Sequence, residues 1–191
     1  KKCIELAQDL GVRTIQLAGY DVYYEEKSPQ TRQRFIKNLR KACDWAEEAQ
    51  VVLAIEIMDD PFINSIEKYL AVEKEIDSPY LFVYPDIGNV SAWHNDVYSE
   101  FYLGHHAIAA LHLKDTYAVT ESSKGQFRDV TFGQGCVKWE EAFDILKQTN
   151  YKGPFLIEMW SENCETVEET RAAIQEAQAF LYPLIKKAGL M

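Results

Sequence analysis

An α/β fold with a parallel sheet is the fold class this sequence predicts, and three observations carry it. Short apolar runs alternate with longer amphipathic ones along the whole chain, so that five βα units can be counted. The strand-like runs are nearly continuous in apolar residues, Val51-Val52-Leu53-Ala54-Ile55 above all, as in parallel strands covered on both faces. Strict alternation of this kind joins strands in parallel. A doubly wound sheet and a (β/α)8 barrel share the pattern, so periodicity leaves both open. The third observation is that the chain opens inside a helical pattern with no strand before it. A complete barrel has eight strands and typically ~250 residues. Three βα units absent ahead of these 191 residues would account for both the length and the start.

The elements follow in order. Cys3 to Leu10 reads as the end of a helix, stopped by Gly11. Val12 to Ala18 reads as a strand. Ser28-Pro29 opens the next helix, since serine caps and proline suits the first turn. Phe35, Leu39, Ala42, Cys43 and Ala46 form its buried stripe. After the Val51–Ile55 strand, Ser65 to Glu75 is helical and Tyr80 to Tyr84 a strand. Ala92 to Tyr102 reads as one weaker helix, and Ile108 to Leu113 as a strand. Trp139, Phe143 and Leu146 mark a helix face, and Phe155 to Met159 a fifth strand. The last helix starts near Thr166, with Glu169 at capping-box spacing, and its stripe is Ile174, Ala177, Leu181 and Ile185. No linker, repeat or low-complexity segment interrupts residues 1–191, which read as a single domain.

Composition narrows the function. A net charge of −10 repels nucleic acid and anionic membranes, so any phosphate site must be a local cationic feature. The apolar runs are too short to span a bilayer, and no signal peptide is visible. Cys3, Cys43, Cys136 and Cys164 are scattered without a CxxC spacing and read as reduced thiols of a cytoplasmic protein.

Four polar residues stand at or near the C-terminal ends of four successive apolar strands: Glu56, Asp86, His112 and Glu158. Singly, each has an ordinary explanation. A glutamate can pair with a lysine at a sheet end, an aspartate after proline can cap a helix, and a lone histidine is more often a core residue than a ligand. Together they are harder to explain structurally, because ionised carboxylates are rarely buried unpaired. A barrel would bring the four strand ends to one rim. Three carboxylates crowded there repel each other unless a divalent cation sits between them, and an O/O/O/N set admits manganese, zinc, cobalt or magnesium.

These residues lie in segments that carry a family resemblance: Gln16-Leu17-Ala18-Gly19-Tyr20-Asp21-Val22, Glu56-Ile57-Met58-Asp59, Tyr84-Pro85-Asp86-Ile87-Gly88-Asn89, His112-Leu113-Lys114-Asp115, Phe132-Gly133-Gln134-Gly135 and Ile157-Glu158-Met159-Trp160-Ser161-Glu162. They cover nearly the whole chain, and it resembles the L-ribulose-5-phosphate 3-epimerase (L-xylulose-5-phosphate 3-epimerase) group of the xylose-isomerase-like barrels. The resemblance implies a (β/α)8 TIM barrel present as its C-terminal five βα units, strands 4–8, with the first three absent, so that 1–191 is a single partial-barrel domain. It implies that Glu56, Asp86, His112 and Glu158 hold one divalent metal ion, and that Glu56 and Glu158 exchange the proton. It also implies a small-molecule sugar phosphate as substrate and a homodimer as the assembly.

Inverting C3 of a pentulose 5-phosphate requires removal of the proton next to the C2 carbonyl and its return from the other face, so two carboxylates must flank the sugar. The phosphate needs donors. The segment Thr116 to Gly135 offers Arg128 as a bidentate grip, Lys124 as a lesser candidate, and the glycines of Phe132–Gly135 as a route for backbone amides. His94, His105 and His106 read as surface or packing residues. Alternative readings are an isomerase of an unphosphorylated ketose or hydroxypyruvate-type acid, or an inactive sugar-phosphate-binding domain. A nuclease fits poorly with the acidic charge and a single metal-competent histidine.

Overall fold

A computed structural model describes residues 1–191. Helix α1 (Lys2–Leu10) closes at Gly11, whose left-handed backbone, φ 69°, returns its N–H to the carbonyls of Ala7 and Gln8. Then come β1 (Thr14–Ala18), α2 (Pro29–Ala49), β2 (Val52–Glu56), α3 (Ile66–Ile76) and β3 (Leu81–Tyr84). Ser28 and Thr31 cap the start of α2 reciprocally, and Ser65 caps α3. The chain continues through α4 (Ile87–Ala92), α5 (Val97–Gly104), a 3₁₀ turn (His105–Ala107), β4 (Leu111–Leu113), α6 (Trp139–Gln148), β5 (Phe155–Ile157) and α7 (Val167–Ala188).

The five expected strands are present, each trimmed or shifted at its ends. The single helix expected over Ala92–Tyr102 is instead two. Helix α4 starts earlier, capped by Asp86, and ends at Ala92. His94 then takes a left-handed φ of 59°, and Asp96 starts α5 by accepting a hydrogen bond from Ser99 N at 3.0 Å. The Asn95-Asp96 pair competes with helical hydrogen bonding, and apolar residues on both sides of it had carried the helical period across. In α7, Thr166 Oγ1 accepts from Glu169 N at 3.1 Å, but Glu169 returns its bond to Glu165 N, one residue ahead of the cap. Ile174 leaves the expected stripe. It is 43% exposed, while Ala177, Leu181 and Ile185 are buried.

The strands are all parallel. One ladder runs β1-β2-β3 and another β4-β5. Parallel bridges Val83–Ile108 and Asp86–His112 join the two ladders, with Ala109 N donating to Val83 O and His112 N to Pro85 O. Spatial order therefore follows chain order without the reversal that defines a doubly wound sheet. The join contains a bulge, since three steps along one strand (83 to 86) meet four along the other (108 to 112). Because side chains alternate faces, this extra residue puts His112, and not Leu111, on the same face as Asp86.

The two faces of the sheet differ. Leu53, Ile55, Leu81, Val83, Leu111 and Leu113 join the large core shared with the helices. Ala54, Tyr84 and Ala110 form a small second cluster on the other face. The polar strand-end residues share that second face. No helix is long and apolar enough to cross a membrane.

Candidate active site

Glu56 ends β2, Asp86 precedes α4, His112 is central in β4, and Glu158 follows β5. Three strand spacings separate β2 from β5, roughly 14 Å in a flat sheet. Yet one ligand atom from each of the four residues lies within 4.8 Å of the others. The second face must therefore be concave, as in a barrel wall. The four residues singled out from the sequence meet at one place.

His112 Nδ1 is the hub. It lies 2.8 Å from Glu56 Oε1 and 2.8 Å from Glu158 Oε2, with Asp86 Oδ2 at 4.0 Å. One ring nitrogen carries at most one proton, and the alignment gives it to Glu56. Glu158 Oε2 is then buried without a hydrogen bond, and Asp86 Oδ2 has the Lys114 ammonium as its close partner. Asp86 divides its two oxygens: Oδ1 accepts from Asn89 N at 2.9 Å to cap α4, which leaves Oδ2 facing the cluster. Three carboxylates and a histidine nitrogen brought together, with one buried carboxylate oxygen left without a hydrogen bond, fit a divalent cation, whose positive charge would satisfy them.

Protonation follows this crowding. Burial opposes charge on His112, but the carboxylates of Glu158 and Glu56 outweigh it and lift the ring to about 9. Burial raises the Asp86 carboxyl against the pull of the Lys114 ammonium. Burial also acts to raise Glu158, but His112 and Lys114 together hold it below the usual carboxylate range.

Several neighbours of the cluster were not among the expected residues. Gln16 Nε2 donates to Glu56 Oε2 at 2.6 Å. Lys114, only 7% exposed, lies 2.7 Å from Asp86 Oδ2 and donates to Glu158 Oε1 at 3.1 Å. Asn89 donates its side-chain amide to Ile57 O at 2.9 Å. Gln16 is a polar residue within an apolar strand, and Lys114 is two residues beyond His112 on the same face, so period-two reading could have found both. A cavity of about 430 Å³ opens over the cluster, and Gln16, Tyr20, Asn89 and Arg128 share its lining with Glu56, His112, Lys114 and Glu158.

The segment after β4 is only partly as expected. Arg128 lines the cavity, its guanidinium stacked 3.8 Å over the Trp160 ring. Lys124 sits exposed at the end of a short hairpin bridged at Tyr117–Gln126 and Thr120–Ser123, and it does not line the cavity. The amides of Gly133 and Gly135 are not free for a phosphate, because both donate to Asp115 Oδ2, at 2.8 and 3.2 Å. Val137 N and Thr116 N donate to Asp115 Oδ1, and Trp139 Nε1 to Oδ2. Gly135 is required by this packing: a Cβ there would stand 2.0 Å from Asp115 Oδ1. Asp115 thus ties the base of the segment that carries Arg128. His94 and His105 bond to backbone carbonyls of Val119 and Tyr102, away from the cluster. All four cysteines are unpaired.

Residues 1–184 match the family model described as xylose isomerase-like TIM barrel. The chain is 47% identical over 191 residues to an Escherichia coli protein named L-ribulose-5-phosphate 3-epimerase, covering all of this chain and 64% of that protein. It is 51% identical over 191 residues to a Haemophilus influenzae protein that carries the same enzyme name provisionally, covering 66% of it. The chain thus spans a little under two thirds of the length of these relatives. Among solved structures, one titled as L-ribulose 3-epimerase superposes with a TM-score of 0.77 at 19% identity, over 98% of this chain and 66% of the other. A xylose isomerase domain protein from Planctomyces limnophilus gives 0.77 at 20% identity, over 98% and 63%. At such identities these two speak to the fold alone.

Proposed function

The chain belongs to the xylose isomerase-like TIM-barrel family, and from that premise we propose that it carries the catalytic rim of a metal-dependent epimerase that inverts C3 of a pentulose 5-phosphate, L-ribulose 5-phosphate to L-xylulose 5-phosphate. Its five βα units correspond in this reading to strands 4–8 of a (β/α)8 barrel, with 1–191 forming one partial-barrel domain. The convergence of Glu56, Asp86, His112 and Glu158 within 4.8 Å is the observation that carries the proposal. The names of relatives at 47–51% identity support the substrate class.

Glu56, Asp86, His112 and Glu158 would hold the ion. When bound, a divalent metal supplies Lewis-acid stabilisation of the negative charge that develops on the substrate oxygens. The two glutamates do the proton work. They approach His112 Nδ1 as separate neighbours, from β2 and from the far strand β5, and so can flank a sugar in the cavity. One takes the C3 proton, and the C3–H electron pair moves into the C2 carbonyl to give an enediolate. The other returns a proton to C3 from the opposite face. In the reverse direction they exchange roles. Gln16 and Lys114 each hold one oxygen of one glutamate, leaving its other oxygen toward the cluster.

Arg128 is the substrate-binding cation. It lies over the Trp160 ring and lines the cavity, and the phosphate of a ketose phosphate is the group it suits. A cytoplasmic homodimer completes the reading. The test is NMR of L-ribulose 5-phosphate incubated with the protein and Mn²⁺, beside unphosphorylated L-ribulose. Conversion of the phosphate ester to its C3 epimer supports the proposal. Faster conversion of the free sugar would replace it with an epimerase of unphosphorylated ketoses.

A further inference from the structure

Lys114 has no part in the proton transfer, yet it is a buried cation directly beside it. Its side chain is 9% exposed, its Nζ is 2.7 Å from Asp86 Oδ2 and 3.1 Å from Glu158 Oε1. Both carboxylates belong to the metal-competent group. At 2.7 Å the Lys114 ammonium and Asp86 Oδ2 form a close, buried ion pair. Lys114 therefore offsets part of the negative charge of both carboxylates.

The charges can be counted. Glu56, Asp86 and Glu158 contribute −3, Lys114 contributes +1, and a neutral His112 contributes nothing, which leaves −2. A divalent ion brings the sum to zero while Lys114 stays in place. Without the lysine the cluster would carry −3 and suit a trivalent ion better. A buried charge imbalance is costly, because the interior screens poorly.

We propose that Lys114 is a positioning residue that sets the charge of the metal site, matching it to a divalent ion and weakening ion binding below what three carboxylates alone would give. The inference rests on the metal-site reading above. Lys114 also orients Glu158: by engaging Oε1 it leaves Oε2 facing His112. A lysine present only to fill space or to tie two strands would leave the valence preference untouched. A charge-setting lysine must change it.

The experiment measures ion affinity, not turnover. Mn²⁺ binding is followed by electron paramagnetic resonance and Tb³⁺ binding by luminescence sensitised through nearby aromatic residues. The parent protein is compared with Lys114→Met, which removes the charge at similar length, and with Lys114→Gln, which keeps a hydrogen-bond donor. Circular dichroism checks that each variant folds, and the glutamine variant carries the test if the methionine one does not. Both variants should bind Mn²⁺ about tenfold or more tightly than the parent, with a still larger gain for Tb³⁺, because removing one positive charge helps a trivalent ion by half as much again. Unchanged or weaker Mn²⁺ binding in the folded variants, or equal gains for both ions, would overturn the role of Lys114 alone. Failure of the parent itself to bind either ion would refute the metal site, and this inference with it.

Discussion

Glu56 sits at the end of β2, which is hydrogen-bonded to a parallel strand on each side, whereas Glu158 follows β5, which is paired with β4 only. The buried strand around Glu56 contrasts with the half-exposed residues of β5. Glu56 is steadied by a neutral amide, Gln16, and Glu158 by a charged amine, Lys114. Arg128 and Trp160 stand on the Glu158 side. The sheet itself therefore preforms one half of the site, while side chains and the segment after β4 assemble the other. Disturbing that segment should damage the Glu158 half and spare the Glu56 half.

The largest effect is expected where the halves meet. His112→Ala removes the nitrogen that both glutamates approach, and its metal affinity should fall by more than the roughly 100-fold that outer-shell changes can reach. Elemental analysis of the dialysed protein checks this, and a metal content equal to the parent's would take His112 out of the site. Asp115→Asn should come next. It puts a donor where five N–H groups now converge on one carboxylate, at a cost of about 1–3 kcal/mol. A thermal melt should drop by several degrees, and protease should cut within 116–135 first. Lost amide-exchange protection in β2, around Glu56, in the same variant would mean that the segment supports both halves, which breaks the comparison.

Ion binding should also depend on pH. In the free site His112 is lifted to about 9, so near pH 7 it holds a proton that a metal must displace. Affinity for Mn²⁺ should rise about tenfold per pH unit from 7 toward 9 and level off above. Calorimetry in two buffers of different ionisation heat counts the released proton, and a count of zero at pH 7 would contradict the assignment. The smallest effect belongs to Arg128→Ala, which should raise KM for the pentulose 5-phosphate by about tenfold with kcat little changed, as loss of uniform binding does. An unchanged KM would make Arg128 an ordinary surface residue stacked on Trp160.

The parts of this architecture that were legible are those that depend on apolar pattern. All five strands were found, because parallel strands buried on both faces read as continuous apolar runs. The four cluster residues stood out because each is a polar residue at the end of such a run. What stayed hidden depends on contacts between distant segments. Asp115 looks like any acidic residue until four donors from the returning chain meet it. The bulge between β3 and β4, which turns His112 to the concave face, leaves no mark in composition. The break at Trp93–Asp96 was masked because apolar residues on both sides keep the helical period. Lys124 and Arg128 are four residues apart in one segment, and only the folding of the hairpin decides that Arg128 lines the cavity and Lys124 does not.

The central claim is that Glu56 and Glu158 serve opposite faces of one sugar, and isotope exchange tests it most directly. Each epimer of the pentulose 5-phosphate is incubated in deuterated water with the parent protein, Glu56→Gln and Glu158→Gln. Metal content is measured alongside, and NMR follows the C3 proton. Net epimerisation should fall by roughly 100-fold or more in both variants, the scale of a lost general base. Each variant should still wash out the C3 proton of one epimer only, and the two variants should differ in which epimer that is. If both retain their metal and interconvert the epimers at the parent rate, the glutamates are ligands alone and the two-base account is wrong.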